Sequence, residues 1–557
     1  MSINRKIGTI AALGSSTAAL AMMTGLSGAR ADDLQINQQL LDTRIDQLAA
    51  VGQGAGGGGA AVFSIDQNPA ASAAVTAGSF PRSILIPGTD TSIKISGQIT
   101  EVFDYYLSGG GGAVNTTPQS TTIGANGTLQ GISLRGTTSS TRGNGVFLQS
   151  PRESKIAFET RTPTPLGEAR TVFQFDWAGS TPAAPAGGPV TISDNLVPRL
   201  QYAYGTLGGL LAGQATSNFS DPDANGETLD FGGNVGEPGH VRVPQVRWTM
   251  PAWWGSSLSF SAETPETIVG TANGIEASDA GLETGTASNA GATLTTTCPT
   301  VTSVSTATAF TCTSALLSGV TPVNIAKATA PDLTAAWYLP QPWGHVDISG
   351  VLRPGIDVTD GHFFDHQYIG GGGHIGFDIK PGWMGWVKDD ITVHFTIGQN
   401  MAGFVNSSSN FDLATNYGQP STSTVAGTYG GVNGPTTAAA AALIRFKPTD
   451  EMGAEVGYQH WWADNLRSNF NGGFESHYGI PIALVNQTNS VTGAVLASTA
   501  GQAAAINKEL MNAHVNLIWN PVSFVDIGLE YTWGQRTTLG NQTATMNVLI
   551  SKMNFRF

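Results

Sequence analysis

The chain has 557 residues, of which 12% are charged, and its formal net charge is −14. An ordinary globular domain is about 25% charged, and no run of Lys or Arg is present, so the footprint of a nucleic-acid-binding protein is missing. Mean hydropathy is −0.02, the balance expected of strands with one apolar and one water-facing side.

Residues 1–31 read as a secretory signal peptide. Arg5 and Lys6 form a positive start, Ile7 to Leu26 is apolar, and Ala29-Arg30-Ala31 fits an A-x-A cleavage site ahead of Asp32-Asp33. The competing reading of this stretch is a retained N-terminal anchor. After Ala31 no run of about 18 apolar residues occurs, so a transmembrane helix is not expected. Residues 32–50 read as a short helix in which Leu34, Leu41 and Leu48 repeat at seven, with Ile45 on the same stripe. That pattern suits a coiled coil joining subunits, or equally a lone amphipathic helix or tail. Residues 51–91 read as a linker, because Gly52 to Ala61 is nearly all Gly and Ala.

From Ser92 the pattern changes to period two: Ile93, Ile95, Ile99 and Phe103 alternate with Lys94, Ser96, Gln98 and Thr100. The same pattern returns to the C-terminus and predicts strands over 92–106, 152–161, 168–178, 197–205, 209–217, 240–250, 257–263, 332–338, 344–353, 366–380, 389–399, 436–447, 451–462, 509–519, 523–535 and 545–557. Their connections alternate: short ones such as 162–167, 206–208, 251–256 and 448–450, and long ones such as 107–151, 218–239, 264–331, 400–435 and 463–508. Outer-membrane barrels sort short turns to one side and long loops to the other. The fold class expected is therefore all-β: residues 92–557 as a 16-stranded antiparallel transmembrane β-barrel, preceded by a short N-terminal helix. The last strand presents Leu549, Met553, Phe555 and Phe557 on one face, and Phe557 is expected to act as an assembly signal. Trp residues beside the turns, among them Trp253, Trp254, Trp383, Trp386, Trp461, Trp462 and Trp519, are expected in the interfacial girdles.

Cys298 and Cys312 share one Thr/Ser-rich segment. In an exported chain they are expected to form a disulfide; a metal or redox pair is the alternative, without CxxC spacing or nearby histidines to support it. The G-x-S-x-G, H-E-x-x-H and Walker A patterns are absent. His362 and His366 lie four apart at a loop edge, with no third ligand at a useful spacing. No catalytic residue, metal or cofactor is expected, and no nucleic-acid partner.

Alternation also assigns faces. Ile156 and Phe158 outward place Lys155, Glu159 and Arg161 inward; Phe173, Phe175 and Trp177 outward place Arg170, Gln174 and Asp176 inward. Leu200, Tyr202 and Tyr204 outward place Arg199 and Gln201 inside, and Val246 and Trp248 do the same for Gln245 and Arg247. A bulge would reverse any assignment beyond it. Lys155, Arg161, Arg170, Arg199, Gln245 and Arg247 are thus the pore-lining candidates. They form either a basic ladder for anions or charges paired locally with Glu159, Asp176 and loop acids.

Several stretches resemble the DcaP-type porins. Phe80-Pro81-Arg82-Ser83-Ile84-Leu85-Ile86-Pro87-Gly88-Thr89-Asp90-Thr91-Ser92-Ile93-Lys94-Ile95-Ser96-Gly97 resembles their approach to the first strand. Pro151-Arg152-Glu153-Ser154-Lys155-Ile156-Ala157-Phe158, Tyr202-Ala203-Tyr204-Gly205 and Arg242-Val243-Pro244-Gln245-Val246-Arg247-Trp248 resemble later strands. The resemblance covers the first half of the barrel and implies a homotrimeric, sixteen-stranded porin. Such a porin lies in the outer membrane of a Gram-negative cell, in contact with outer-membrane lipid, and passes small polar or anionic solutes such as dicarboxylates. It also implies a third loop folded into the lumen, which places Asp221, Asp223, Glu227, Asp230 and Glu237 at the constriction. Opposite a basic wall these acids make a transverse field; if they dominate, the pore prefers cations. A barrel hydrolase and a surface adhesion barrel are the alternatives.

Overall fold

The computed structural model describes residues 76–109, 129, 144–179, 197–236, 242–271, 276–278, 295–297, 313–315, 325–359, 361–405, 412–415, 442, 444–480 and 506–557. The signal-peptide and helix assignments, Glu237, Cys298 and Cys312 lie outside the described residues.

Sixteen long strands form the wall: β1 (Ser92–Ser108), β2 (Lys155–Thr164), β3 (Gly167–Gly179), β4 (Val197–Leu207), β5 (Leu210–Thr216), β6 (Arg242–Pro251), β7 (Ser257–Glu263), β8 (Asp332–Gln341), β9 (Gly344–Thr359), β10 (Asp365–Ile379), β11 (Asp390–Gln399), β12 (Asp450–Ala463), β13 (Leu466–Tyr478), β14 (Asn507–Val522), β15 (Val525–Thr538) and β16 (Thr543–Arg556). Each pairs antiparallel with the next, and β16 pairs back onto β1 through Leu549↔Tyr105 and Phe555↔Ile99. The sheet is closed, which leaves no unpaired edge to satisfy in lipid. The Phe557 N–H donates to the Gly97 carbonyl at 3.0 Å, and the Gly97 N–H to the Phe557 carbonyl at 3.1 Å, so the last residue completes the seam.

Polarity is inverted relative to a soluble protein. Ile95, Ile99, Phe173, Val246, Trp248, Phe260, Ile397, Val456, Phe470, Leu529 and Phe555 are exposed on the outer face. Asp176, Glu263, Asp347, His394, Glu455, Asn512 and Glu530 are buried on the inner one. This is the distribution lipid outside and a wet lumen inside would select. Trp253, Trp254, Trp383, Trp386, Trp462 and Trp519 are exposed beside the short turns, but the Trp461 ring lies between Lys388 and Arg467, at 5.2 and 5.3 Å.

The strand count agrees with the sequence reading, but one strand is not where the pattern put it. The wall passes directly from β11 to β12, and among the described residues of 436–447 only those of Phe446–Pro448 are extended, paired with Leu413–Thr415. The twelfth and thirteenth wall strands are β12 and β13, joined by the turn Asp464–Asn465, so 448–450 is no turn between wall strands, and Leu466–Tyr478, expected within a long loop, is strand. The outward side of β13 reads Leu466, Ser468, Phe470, Gly472, Phe474, Ser476, too small and polar to show alternation, whereas the Ala-rich 436–444 supplied apolar mass without period two.

Part of the segment expected as linker is also ordered. Thr76–Ala77 pairs with Ile84–Leu85, which extends onto β1. β2 is prolonged by Val146–Ser150, paired with the upper half of β1.

Candidate functional site

The connection from β5 to β6 does not stay at the rim. Its described residues, 217–236, enter the barrel and cross it. At its start Asn218 donates its backbone N–H to Glu263 Oε1 of β7 (2.8 Å) and accepts from Ser259 Oγ (2.6 Å). Phe219 is fully buried, its carbonyl taking the Ser349 hydroxyl of β9 at 2.7 Å and its ring 5.3 Å from that of Phe404. Asp221 reaches His345 Nε2 at 2.8 Å. Next comes a 3-10 turn, Pro222–Ala224, that carries Asp223 against β10 and β11.

Beyond it the loop lies on the wall from β12 to β16. The Gly226 N–H donates to Glu455 Oε1 (2.7 Å) and the Leu229 N–H to Glu530 Oε2 (2.7 Å). Glu227 is held by both edges of the Arg467 guanidinium, Nε to Oε2 at 2.7 Å and Nη2 to Oε1 at 2.5 Å. Gln459 and Asn469 donate to the same carboxylate, and Asn471 and Asn516 to the Glu227 carbonyl. A bidentate Arg–carboxylate pair fixes orientation as well as charge. Asp230 accepts its own Gly232 N–H at 3.0 Å, and the Phe231 ring lies 5.4 Å from the Arg199 guanidinium.

The expected wall cations sit on strands β2, β3, β4 and β6, and most have an acid beneath them. Arg161 and Arg170 share Glu159 at 2.7 and 2.9 Å, and Arg161 also stacks over Phe80 at 4.6 Å. Arg199 binds Asp176 at 2.5 Å; the Asp176 side chain is 1% exposed and that of Arg199 39%. Lys155 faces Asp176 across β2 and β3. Arg247 is buried with its Nη1 3.5 Å from Asn218 Oδ1. Gln245 is spent on the backbone, donating to the carbonyls of Ala215 and Thr216 at 3.1 and 2.8 Å. Thus Arg161, Arg170 and Arg199 are locally paired, and the ladder as a row of unpaired cations is not what the wall presents.

Two face assignments need correction. A register shift places Tyr202 opposite Gln174 and Leu200 opposite Phe175, so Tyr202 and Tyr204 turn inward and are buried. Arg199 and Gln201 remain inward, Gln201 donating to Asp176 at 2.6 Å. Three participants were not found from sequence. Arg467 lay in the unread strand. Lys552, paired with Glu153 and 3.4 Å from the Leu229 carbonyl, follows from the alternation of β16 once Leu549 and Phe555 are taken as outward. Arg242, over the Tyr202 ring at 5.2 Å, precedes the clear part of its strand.

A closed sixteen-stranded wall with its third long connection folded into the lumen is a channel architecture, and the sequence agrees: a family described as Porin subfamily matches residues 84–549.

The chain belongs to the Porin subfamily.

Among solved structures, this porin resembles the outer membrane channel DcaP of Acinetobacter baumannii, with a TM-score of 0.56 and 18% identity over 86% of this chain and 100% of that one. OmpT of Vibrio cholerae gives 0.41 and 7% over 85% and 100%, and an anion-selective porin from Comamonas acidovorans 0.41 and 6% over 84% and 100%. No curated protein matches. The DcaP likeness shows the fold, and family membership makes the chain an outer-membrane channel for solute diffusion rather than an enzyme.

Proposed function

We propose that this porin passes small polar solutes and favours small organic anions, dicarboxylates among them. The observation that carries the reading is where the charges of the third loop go. Two of its acids, Asp221 and Glu227, are turned to the far wall and held by His345 and Arg467, and a third, Asp230, is buried. The inward side chains under the loop on β11–β15, among them His394, Glu455, Asn512 and Glu530, are sealed. The opposite side keeps partly exposed cations, Lys155, Arg199 and Arg242. Water there meets the Arg199 guanidinium, while its carboxylate partner is hidden beneath it. A planar donor fork suits a carboxylate, and cations facing a narrow wet passage set ion preference.

The apolar outer face and the Leu34, Leu41, Leu48 stripe support a homotrimer in contact with outer-membrane lipid, in a Gram-negative envelope. The test of selectivity is reversal potential in a salt gradient across a planar bilayer. Wild type is expected to prefer anions, and Lys155→Gln with Arg199→Gln to shift toward cations and to slow dicarboxylate uptake. An unchanged reversal potential in the double variant rejects the anion reading and leaves a general diffusion pore.

A further inference from the structure

The third loop does not rest on side chains of the far wall alone; in places it rests on the backbone. Inward positions of β12 and β13 that would ordinarily carry a side chain are Gly453, Gly457 and Gly473. A Cβ on Gly473 would overlap the Val235 carbonyl, one on Gly453 the Gly236 carbonyl, and one on Gly457 would come within 3.1 Å of Gly226 Cα. On β15, a Cβ at Gly528 would come 2.6 Å from Leu229 Cδ1. The neighbouring outward position, Gly472, is open: its nearest atom would be the Asn512 carbonyl oxygen at 3.7 Å. The missing side chains on the inner face therefore form a bed as wide as the loop, and the loop backbone fills it. At the turn end of this bed Arg467, 2% exposed, grips Glu227. A packed interior has no slack to absorb an added side chain without moving its neighbour.

We propose that Gly473 and Arg467 are positioning residues for permeation. Gly473 sets how far the third loop stands from the β2–β6 wall, and Arg467 keeps it from leaving the bed, so the two fix the cross-section of the passage without touching the solute. The proposal rests on the chain being a channel and not on its anion preference, so it is read with neutral probes.

The experiment compares Gly473→Val with Gly472→Val, adjacent residues on opposite faces of one strand. The measurements are single-channel conductance and liposome swelling in neutral sugars of graded size. Gly473→Val is expected to lift the loop into the passage and lower conductance by about half or more, with the larger sugars slowed most. Gly472→Val is expected to match wild type. Glu227→Gln, which keeps the shape but removes the charge pair, is expected to give currents that flicker between levels, and Arg467→Lys to flicker less than Glu227→Gln. A folded, heat-modifiable Gly473→Val with wild-type conductance and sugar uptake overturns the proposal. Should Gly473→Val not assemble, Glu227→Gln decides, and a steady wild-type current from it overturns the proposal equally.

Discussion

Arg467 on β13 closes on Glu227 of the third loop with two hydrogen bonds, 2.7 and 2.5 Å long, on the side of the lumen opposite Arg199. The Arg467 side chain is 2% exposed and that of Glu227 16%, so neither charge is free to hydrate if its partner is removed. Breaking a buried pair from one side costs roughly 3–5 kcal/mol. Arg467→Ala is therefore expected to lower the temperature at which the detergent-solubilised barrel loses its heat-modifiable mobility. The double variant Arg467→Ala with Glu227→Ala is expected to recover part of that loss. Additive losses in a double-mutant cycle would mean that the pair is not coupled.

Arg353 is the corresponding clamp at the loop end. It is fully buried, pairs with Asp332 at 3.1 Å and with Asp412, and donates to the Asn400 carbonyl at 2.5 Å. It thereby ties β8 and β9 to the long connection that follows β11. Arg353→Met is expected to leave the barrel intact but to expose that connection to added protease in whole cells. Cleavage rates equal to wild type would contradict this role.

Phe557 completes the β1–β16 seam by exchanging two backbone bonds with Gly97. Deleting it is expected to reduce the amount of folded barrel in outer membranes. Wild-type amounts in the deletion strain would contradict it.

Cys298 and Cys312 are expected to be bridged. Thiol labelling of denatured, unreduced protein should find no free thiol, and reduction should leave conductance unchanged. Loss of current on reduction would instead place their loop in the permeation path.

Much of the wall was legible because its physics is local. In β2, β3 and β6, large apolar residues alternate with charged ones, and Lys155, Arg170 and Arg247 were assigned to the inner face from that pattern alone. β13 failed because its outer face uses Ser468 and Gly472, and the inner Gly473 makes room for the loop rather than announcing a strand. The bulge that turned Tyr202 inward is likewise invisible, since one extra residue leaves composition unchanged. The inward fold of the third loop came only through family resemblance. Asp221 and Glu227 are held by His345 and Arg467, and the Gly226 N–H and Asn234 amide by Glu455, all many strands away, and such pairing has no sequence signature. For the same reason, which cations of the wall were spent on Glu159 and Asp176 could be posed as an alternative but not decided.

The central claim is that solute passes between the third loop and the β2–β6 wall. Cysteine accessibility tests it most directly, in a Cys298→Ser, Cys312→Ser background with a small anionic thiol reagent added during single-channel recording. Arg199→Cys is expected to react and lower the current stepwise, whereas His394→Cys, on β11 and buried under the loop, is expected to stay unmodified with its current steady. Rapid block at position 394 with none at 199 would place the passage on the other side of the loop and contradict the account.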